Sequence, residues 1–167
     1  MLPERFDQNE IYVLVSLAAL IFAVWILPKS VSRTAGITTG LFFSAVSCFA
    51  DEVIGVTYPG NFYDTFDSHR HELFDIIMYF SVYILYGYIF INLLKMFLPR
   101  FLSKQFKIFY LLAWISASTI LEGISDLFGV FHYLNGWNLF CSFLIYCLSF
   151  PLFFSFSKWV LKIEDSV

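Results

Sequence analysis

Five long apolar runs constrain this chain more than any other feature of its sequence. A helix needs about 20 apolar residues to cross the hydrocarbon core of a bilayer. The runs cover about 11–27, 35–56, 73–98, 108–130 and 138–157, and the segments between them are short. We therefore predict one all-α domain over residues 1–167, a polytopic bundle of five transmembrane helices.

Composition supports a membrane environment and excludes several other classes of protein. Charged residues make up 14% of the chain, aromatic residues 22%, and the mean hydropathy is +0.75. In a soluble domain about a quarter of the residues are charged, so the low charge of this chain excludes a soluble enzyme, a disordered tail and a coiled coil. The net charge of −3 argues against nucleic acid as a partner. The expected surroundings are the lipid bilayer, with a protein partner inside the membrane left open.

The distribution of basic residues predicts how the chain is threaded. With the N-terminus outside and the C-terminus in the cytoplasm, eight of the ten Lys and Arg residues lie on the inner side, as the positive-inside rule requires. The first ten residues carry three acids and one arginine, which is the wrong charge for a signal peptide. We expect a retained first helix and a multi-pass protein of the cell membrane.

Carboxylates gather where several predicted helices reach the outer boundary. Ionisable side chains at membrane depth are costly and usually face the bundle interior or a wet cavity. The second and fourth spans end at this boundary, so their acids lie at negative helix C-termini and need a proton, a cation or a basic partner. The candidate cation- or proton-binding residues are Asp51, Glu52, Asp75, Glu122, Asp126 and His132, and the candidate charge partners are Arg70 and His71.

These residue types leave three interpretations open. Carboxylate oxygens with a histidine suit a divalent cation such as Ca²⁺, Mg²⁺, Mn²⁺ or Zn²⁺. The same acids could instead exchange a proton, or form an inert clamp with Arg70 or a histidine. The sequence has no H-E-x-x-H, G-x-S-x-G or P-loop pattern, so no catalytic residue is assigned.

Small residues on the second span predict close helix packing. Gly36, Gly40, Ser44 and Ser47 follow one another at helical spacing and lead up to Asp51. Such a stripe lets two helices approach closely. Phe42 should point about 160° away from Gly40, toward lipid or a looser interface.

On the third span, one face carries Asp75 and three tyrosines, Tyr79, Tyr83 and Tyr86.

A short internal repeat links the two halves of the chain. Residues 52–56 resemble residues 126–130, and each segment lies near the outer end of an outward-going span. The second and third spans would then be related to the fourth and fifth by an axis along the membrane normal, as in some small transporters.

The stretch from Glu122 through Gly129, Tyr133 and Trp137 to Tyr146 resembles a known pattern. It is similar to a family of small uncharacterised multispanning membrane proteins frequent in spore-forming Gram-positive bacteria. In that family a glutamate of the penultimate span precedes a Gly, a Tyr and a Trp, and an aromatic last span follows. The resemblance covers about the last third of the chain and implies the fold and the membrane location, but no reaction.

Three functions fit this sequence. The first is an accessory or small transport protein whose acidic outer face binds a cation or a proton. The second is a membrane-embedded, metal-dependent hydrolase that acts at the outer leaflet. The third is a structural or partner-binding subunit of the membrane.

Overall fold

A computed structural model describes residues 5–56, 61–67, 72–97 and 103–166. The chain is mostly helical, and its described part contains five helices long and apolar enough to cross a membrane. The predicted number of membrane-length helices is therefore confirmed, and the mostly helical structure agrees with the predicted all-α class. The candidate spans are Gln8–Ile26, Arg33–Gly55, Leu73–Phe97, Lys104–Leu127 and Leu139–Glu164.

Two of these spans contain a π-helical segment. The first span is helix α1 (Gln8–Ile26), and the second is α2 (Arg33–Ala50) followed by the first π segment (Asp51–Val56). The third span consists of α3 (Leu73–Ile77), the second π segment (Met78–Val82) and α4 (Tyr83–Phe97). Helices α5 (Lys104–Leu127) and α6 (Leu139–Glu164) form the fourth and fifth spans.

Capping interactions explain several boundaries that hydropathy alone misplaces. The side chain of Asp7 caps α1 and forms a capping box with Glu10, so this helix begins before residue 11. Helix α5 ends before residue 130, because Gly129 adopts a φ of +74° and the Val130 N–H returns to the Ser125 carbonyl at 2.9 Å. Helix α6 continues beyond residue 157 through a turn that carries Lys158 and Lys162.

A small antiparallel ribbon, which the sequence analysis did not predict, joins two loops. Strand β1 (Tyr63–Thr65) follows α2, and strand β2 (Phe131–Tyr133) follows α5. Tyr63 pairs with Tyr133 across the ribbon. The start of α1 lies at the same end of the bundle, because the Asn9 amide donates to Asp67 at 3.2 Å. We call this end the ribbon end.

The predicted close helix contact is present between α2 and α4. A Cβ placed on Gly40 would lie 2.4 Å from the carbonyl oxygen of Ile84, and one on Gly87 would lie 2.8 Å from the Gly40 Cα. The expectation that Phe42 faces lipid or a looser interface was wrong. Its ring stacks on Phe156 of α6 with centroids 3.9 Å apart, so it faces a tight aromatic interface.

The main core fills the half of the bundle away from the ribbon end. Phe43 of α2, Phe90 of α4 and Phe150 of α6 are almost fully buried there, and Trp114 of α5 packs against the last two. Helix α1 packs along α4 and the second π segment. The core therefore holds α2, α4, α5 and α6 together, while the ribbon end contains a space between helices.

Candidate functional site

The bundle encloses a cavity of about 490 Å³ in its ribbon-end half. Side chains from all five candidate spans and from both loops of the ribbon end line it, and most of them are apolar or aromatic. Two acids, Asp51 and Glu122, are also part of its wall. Asp51 lies at the start of the first π segment in the second span, and Glu122 lies in α5. Two different spans therefore each bring a carboxylate to the cavity.

Asp51 is buried and receives hydrogen bonds on both carboxylate oxygens. The Tyr63 hydroxyl donates to Oδ1 at 2.6 Å, and the Tyr79 hydroxyl donates to Oδ2 at 3.0 Å. Asp51 opens the first π segment. Such π-helical turns are rare in proteins and often occur at functional sites. Hydroxyl donors from a strand and from the next span therefore satisfy this carboxylate within the membrane region.

Glu122 is held in the same way on the opposite side. The Tyr133 hydroxyl donates to Oε1 at 2.8 Å, and the Tyr146 hydroxyl donates to Oε2 at 2.5 Å. Glu122 is half-buried and lies between Ser118 and Ser125 on the inner face of α5. Both oxygens of each acid therefore have a hydrogen-bond donor, as polar groups removed from water require.

The two strand tyrosines act as hydrogen-bond donors. Burial, and then the charge of Asp51, raises the pKa of Tyr63 far above its usual value. Burial, followed by the charge of Glu122, likewise raises the pKa of Tyr133. Both hydroxyls therefore keep their protons at any physiological pH, and each presents its hydrogen to a carboxylate.

The two half-sites follow one plan. In each, a helix running toward the ribbon carries the acid, the next strand supplies one tyrosine, and the following span supplies the second. Tyr63 follows Asp51 by 12 residues and Tyr133 follows Glu122 by 11. The antiparallel ribbon brings these two tyrosines opposite each other. This arrangement supports an internal repeat, but it makes Asp51 the counterpart of Glu122, whereas the sequence match aligned Glu52 with Asp126.

The remaining candidate acids do not reach the cavity. Glu52 and Asp126 are half-buried and lie outside the set of side chains that line it. Asp75 is fully buried but accepts the Thr65 hydroxyl at 2.8 Å and the Glu72 backbone N–H at 2.7 Å. Asp75 thus caps the start of α3. The expected single layer of acids is divided between a cavity and a helix cap.

The expected basic partners are not part of the described cavity wall. His132 is exposed on β2, where it pairs with Asp64 across the ribbon. Arg70 and His71 lie outside the described residues. The described lining residues include no lysine, arginine or histidine. Within the described part of the chain, no three His, Cys, Asp or Glu side chains are placed to hold a metal ion, so the divalent-cation interpretation finds no ligand set there.

Three of the four tyrosines that bind the acids were not among the site residues predicted from the sequence. Tyr79 was on the predicted tyrosine face, whereas Tyr63 and Tyr133 lie in loops and Tyr146 lies in the aromatic last span. A usable signal was present, because a tyrosine follows each acid at nearly the same distance. Tyr83 lines the cavity, and the Tyr86 hydroxyl is 2.8 Å from the Ser118 hydroxyl.

No family model, no curated protein and no solved structure matches this chain.

Proposed function

We propose that this protein is a small membrane transport or accessory protein whose cavity binds a cation or a proton between Asp51 and Glu122. One observation carries the proposal. Two carboxylates on different spans line one cavity, and its described wall contains no basic side chain. Negative charge in an apolar cavity attracts a compensating positive charge, and the surrounding apolar groups strengthen that attraction.

We further propose that the ribbon end faces the outside of the cell membrane and that the C-terminus is cytoplasmic. The basic residues support this orientation, because those near the opposite end of the bundle include Lys95, Lys158 and Lys162. The cavity would then load from the outer half of the membrane. A transported cation or proton would still have to pass the aromatic core, whereas an accessory protein would only bind and release it.

The test measures proton and cation uptake by the protein purified in detergent. The double variant Asp51→Asn/Glu122→Gln removes both charges and keeps both side-chain volumes. Glu52→Gln/Asp126→Asn is the matched control, since it removes the neighbouring acids outside the cavity. Each protein is titrated potentiometrically, and its melting temperature is followed with Na⁺, K⁺, Mg²⁺, Ca²⁺, Mn²⁺ and Zn²⁺.

We expect the wild type and the control to bind more protons than the double variant, or to become more thermally stable when a cation is added. A ligand that binds the folded state raises the melting temperature. The double variant should lose this response. If the double variant and the wild type titrate alike and respond alike to every cation, the two acids are inert and a structural or partner-binding role replaces this proposal.

A further inference from the structure

We infer that the ligand of the cavity is a lipophilic organic cation that enters from the bilayer through a gap between α1 and α5. This inference rests on the proposed function and narrows its cation to one chemical class. Four features of the cavity carry it: a side opening, a polarity gradient, aromatic walls and a volume suited to a small organic molecule.

The opening lies beside Tyr12. This residue links α1 to α5 near the ribbon end, where its hydroxyl donates to the Leu121 carbonyl at 3.3 Å and its ring stacks on Phe128. Further along α1, Ala19 lines the cavity and is also exposed at the surface. Leu121 of α5 likewise lines the cavity, and 45% of its side chain is exposed. Side chains that are both lining and exposed indicate that the cavity opens between these helices.

The surface around this opening is apolar. Val15 and Phe22 of α1 and Ile120 of α5 are each more than half exposed. All of them belong to predicted membrane-spanning helices. In a bilayer such side chains contact lipid chains, so the opening leads to hydrocarbon instead of to water. A ligand that uses it must first dissolve in the membrane.

Polarity changes along the cavity. Asp51 and Glu122 lie toward the ribbon end, whereas Phe43, Phe150 and Phe153 line the part next to the aromatic core. A ligand that fills this space needs a positive charge that the two acids attract and apolar groups that contact the aromatic wall. Aromatic faces add to its binding, because organic cations are attracted to the electron-rich faces of aromatic rings.

The size of the cavity favours an organic ligand over a bare inorganic ion. A volume of about 490 Å³ falls within the range of small-molecule sites, about 300–1,000 Å³. A single ion would leave most of the apolar wall without contacts. An anionic ligand would meet two carboxylates and no basic group in the described wall. The geometry therefore favours a monovalent or divalent organic cation with an apolar body.

The first experiment compares two probes of nearly the same shape and opposite charge. Tetraphenylphosphonium is a lipophilic cation and tetraphenylborate a lipophilic anion, and equilibrium dialysis measures the binding of each to the purified protein. We expect saturable binding of the phosphonium with an affinity at least about tenfold above that of the borate. Asp51→Asn/Glu122→Gln should reduce phosphonium affinity by at least about tenfold, and Glu52→Gln/Asp126→Asn should leave it unchanged.

A second experiment tests the route of entry. Ala19→Trp places a large ring in the opening, and Ala18→Trp is its control, since Ala18 is the exposed neighbour that does not line the cavity. With the protein in lipid nanodiscs, stopped-flow measurement of phosphonium binding should show slower association for Ala19→Trp and a wild-type rate for Ala18→Trp. Equal rates for the two tryptophan variants would overturn lateral entry.

The outcomes separate this inference from the proposed function. Equal binding of phosphonium and borate to the wild type overturns the inference without the use of any variant. Unchanged phosphonium binding in Asp51→Asn/Glu122→Gln also overturns it. If that variant nevertheless loses the proton or inorganic-cation response, the proposed function stands and only the organic ligand is wrong.

Discussion

At the residue scale, the two cavity carboxylates are distinguished by the tyrosine hydroxyls that donate hydrogen bonds to them. Asp51 and Glu122 each receive two tyrosine hydroxyls, one on each oxygen. Buried polar groups are most costly when they lose a partner, because the remaining donor or acceptor cannot turn to water. The consequences of a substitution at these positions therefore depend on whether the new side chain can still accept hydrogen bonds.

Glu122→Gln should fold, whereas Glu122→Ala should be clearly less stable. The amide of glutamine can accept one tyrosine hydrogen bond and donate to the other hydroxyl. Alanine leaves the Tyr133 and Tyr146 hydroxyls without their carboxylate acceptor, which costs up to about 1–3 kcal/mol for each hydroxyl that water does not reach. Thermal unfolding in detergent, monitored by tryptophan fluorescence, measures both effects. If the glutamine variant is as unstable as the alanine variant, the negative charge itself is structural and an internal basic partner holds it.

Tyr63 should make the protein sensitive to alkaline pH. The pKa of Tyr63 is raised in the folded protein by burial and by Asp51, whereas in the unfolded chain the tyrosine releases its proton near pH 10. Above about pH 10 the unfolded state thus binds fewer protons than the folded state, and the free energy of unfolding falls by up to about 1.4 kcal/mol per pH unit. Below that pH this contribution is constant.

Tyr63→Phe removes this ionisation, so its stability should fall less steeply above pH 10 than that of the wild type. Melting temperatures from pH 7 to 11 measure both slopes. At neutral pH the variant should be less stable by about 1 kcal/mol, because it loses the hydrogen bond to Asp51. Parallel curves across the alkaline range would show that Tyr63 does not hold its proton in the folded protein.

Sequence reasoning identified the acids more readily than their partners, for a physical reason. Asp51 and Glu122 are conspicuous because charge is rare within apolar runs. Tyr63 and Tyr133 lie in three-residue strands, which are too short to show a hydrophobic period. Their role depends on a pairing between loops that are far apart in the chain. Asp75 lies near the start of its apolar run, where an acid is favoured at a helix N-terminus, but the sequence alone cannot show that Glu122 faces a cavity.

At the scale of elements, the contact between α2 and α4 depends on two glycines that face each other. A Cβ on Gly40 would overlap the Ile84 backbone, and one on Gly87 would approach the Gly40 Cα. The stripe of small residues in α2 was readable from the sequence because close packing requires small side chains at helical spacing. Its partner helix was not readable, since Gly87 is an isolated glycine in its span.

Gly40→Ile should separate these two helices and destabilise the bundle. Overpacking typically costs about 1–3 kcal/mol, and here the obstacle is a backbone carbonyl that no rotamer change can move. Leu41→Ile is the control, because Leu41 is 48% exposed and its substitution should cost less than about 0.5 kcal/mol. Size exclusion and thermal unfolding in detergent compare the two. Equal stability would mean that α2 and α4 can separate without loss.

At the scale of the whole molecule, the number of spans followed from the sequence because each apolar run matches the thickness of a bilayer. The side of the membrane that each end faces depends on charge in the connections and is a separate prediction. A reporter active only in the cytoplasm should be active at the C-terminus, and one active only outside should be inactive there. The reverse pattern would place the ribbon, Asp51 and Glu122 toward the cytoplasm.

The ribbon also restricts how the loops of this protein can change. Successive side chains of a strand point to opposite faces of the ribbon. A shift of one residue in the pairing of Tyr63 with Tyr133 would therefore move every side chain of one strand to the opposite face. One insertion or deletion between an acid and its strand tyrosine would therefore remove a donor from that carboxylate, even though every residue type remained. Relatives of this chain should tolerate many substitutions in β1 and β2, but the lengths of the segments from Asp51 to Tyr63 and from Glu122 to Tyr133 should stay fixed.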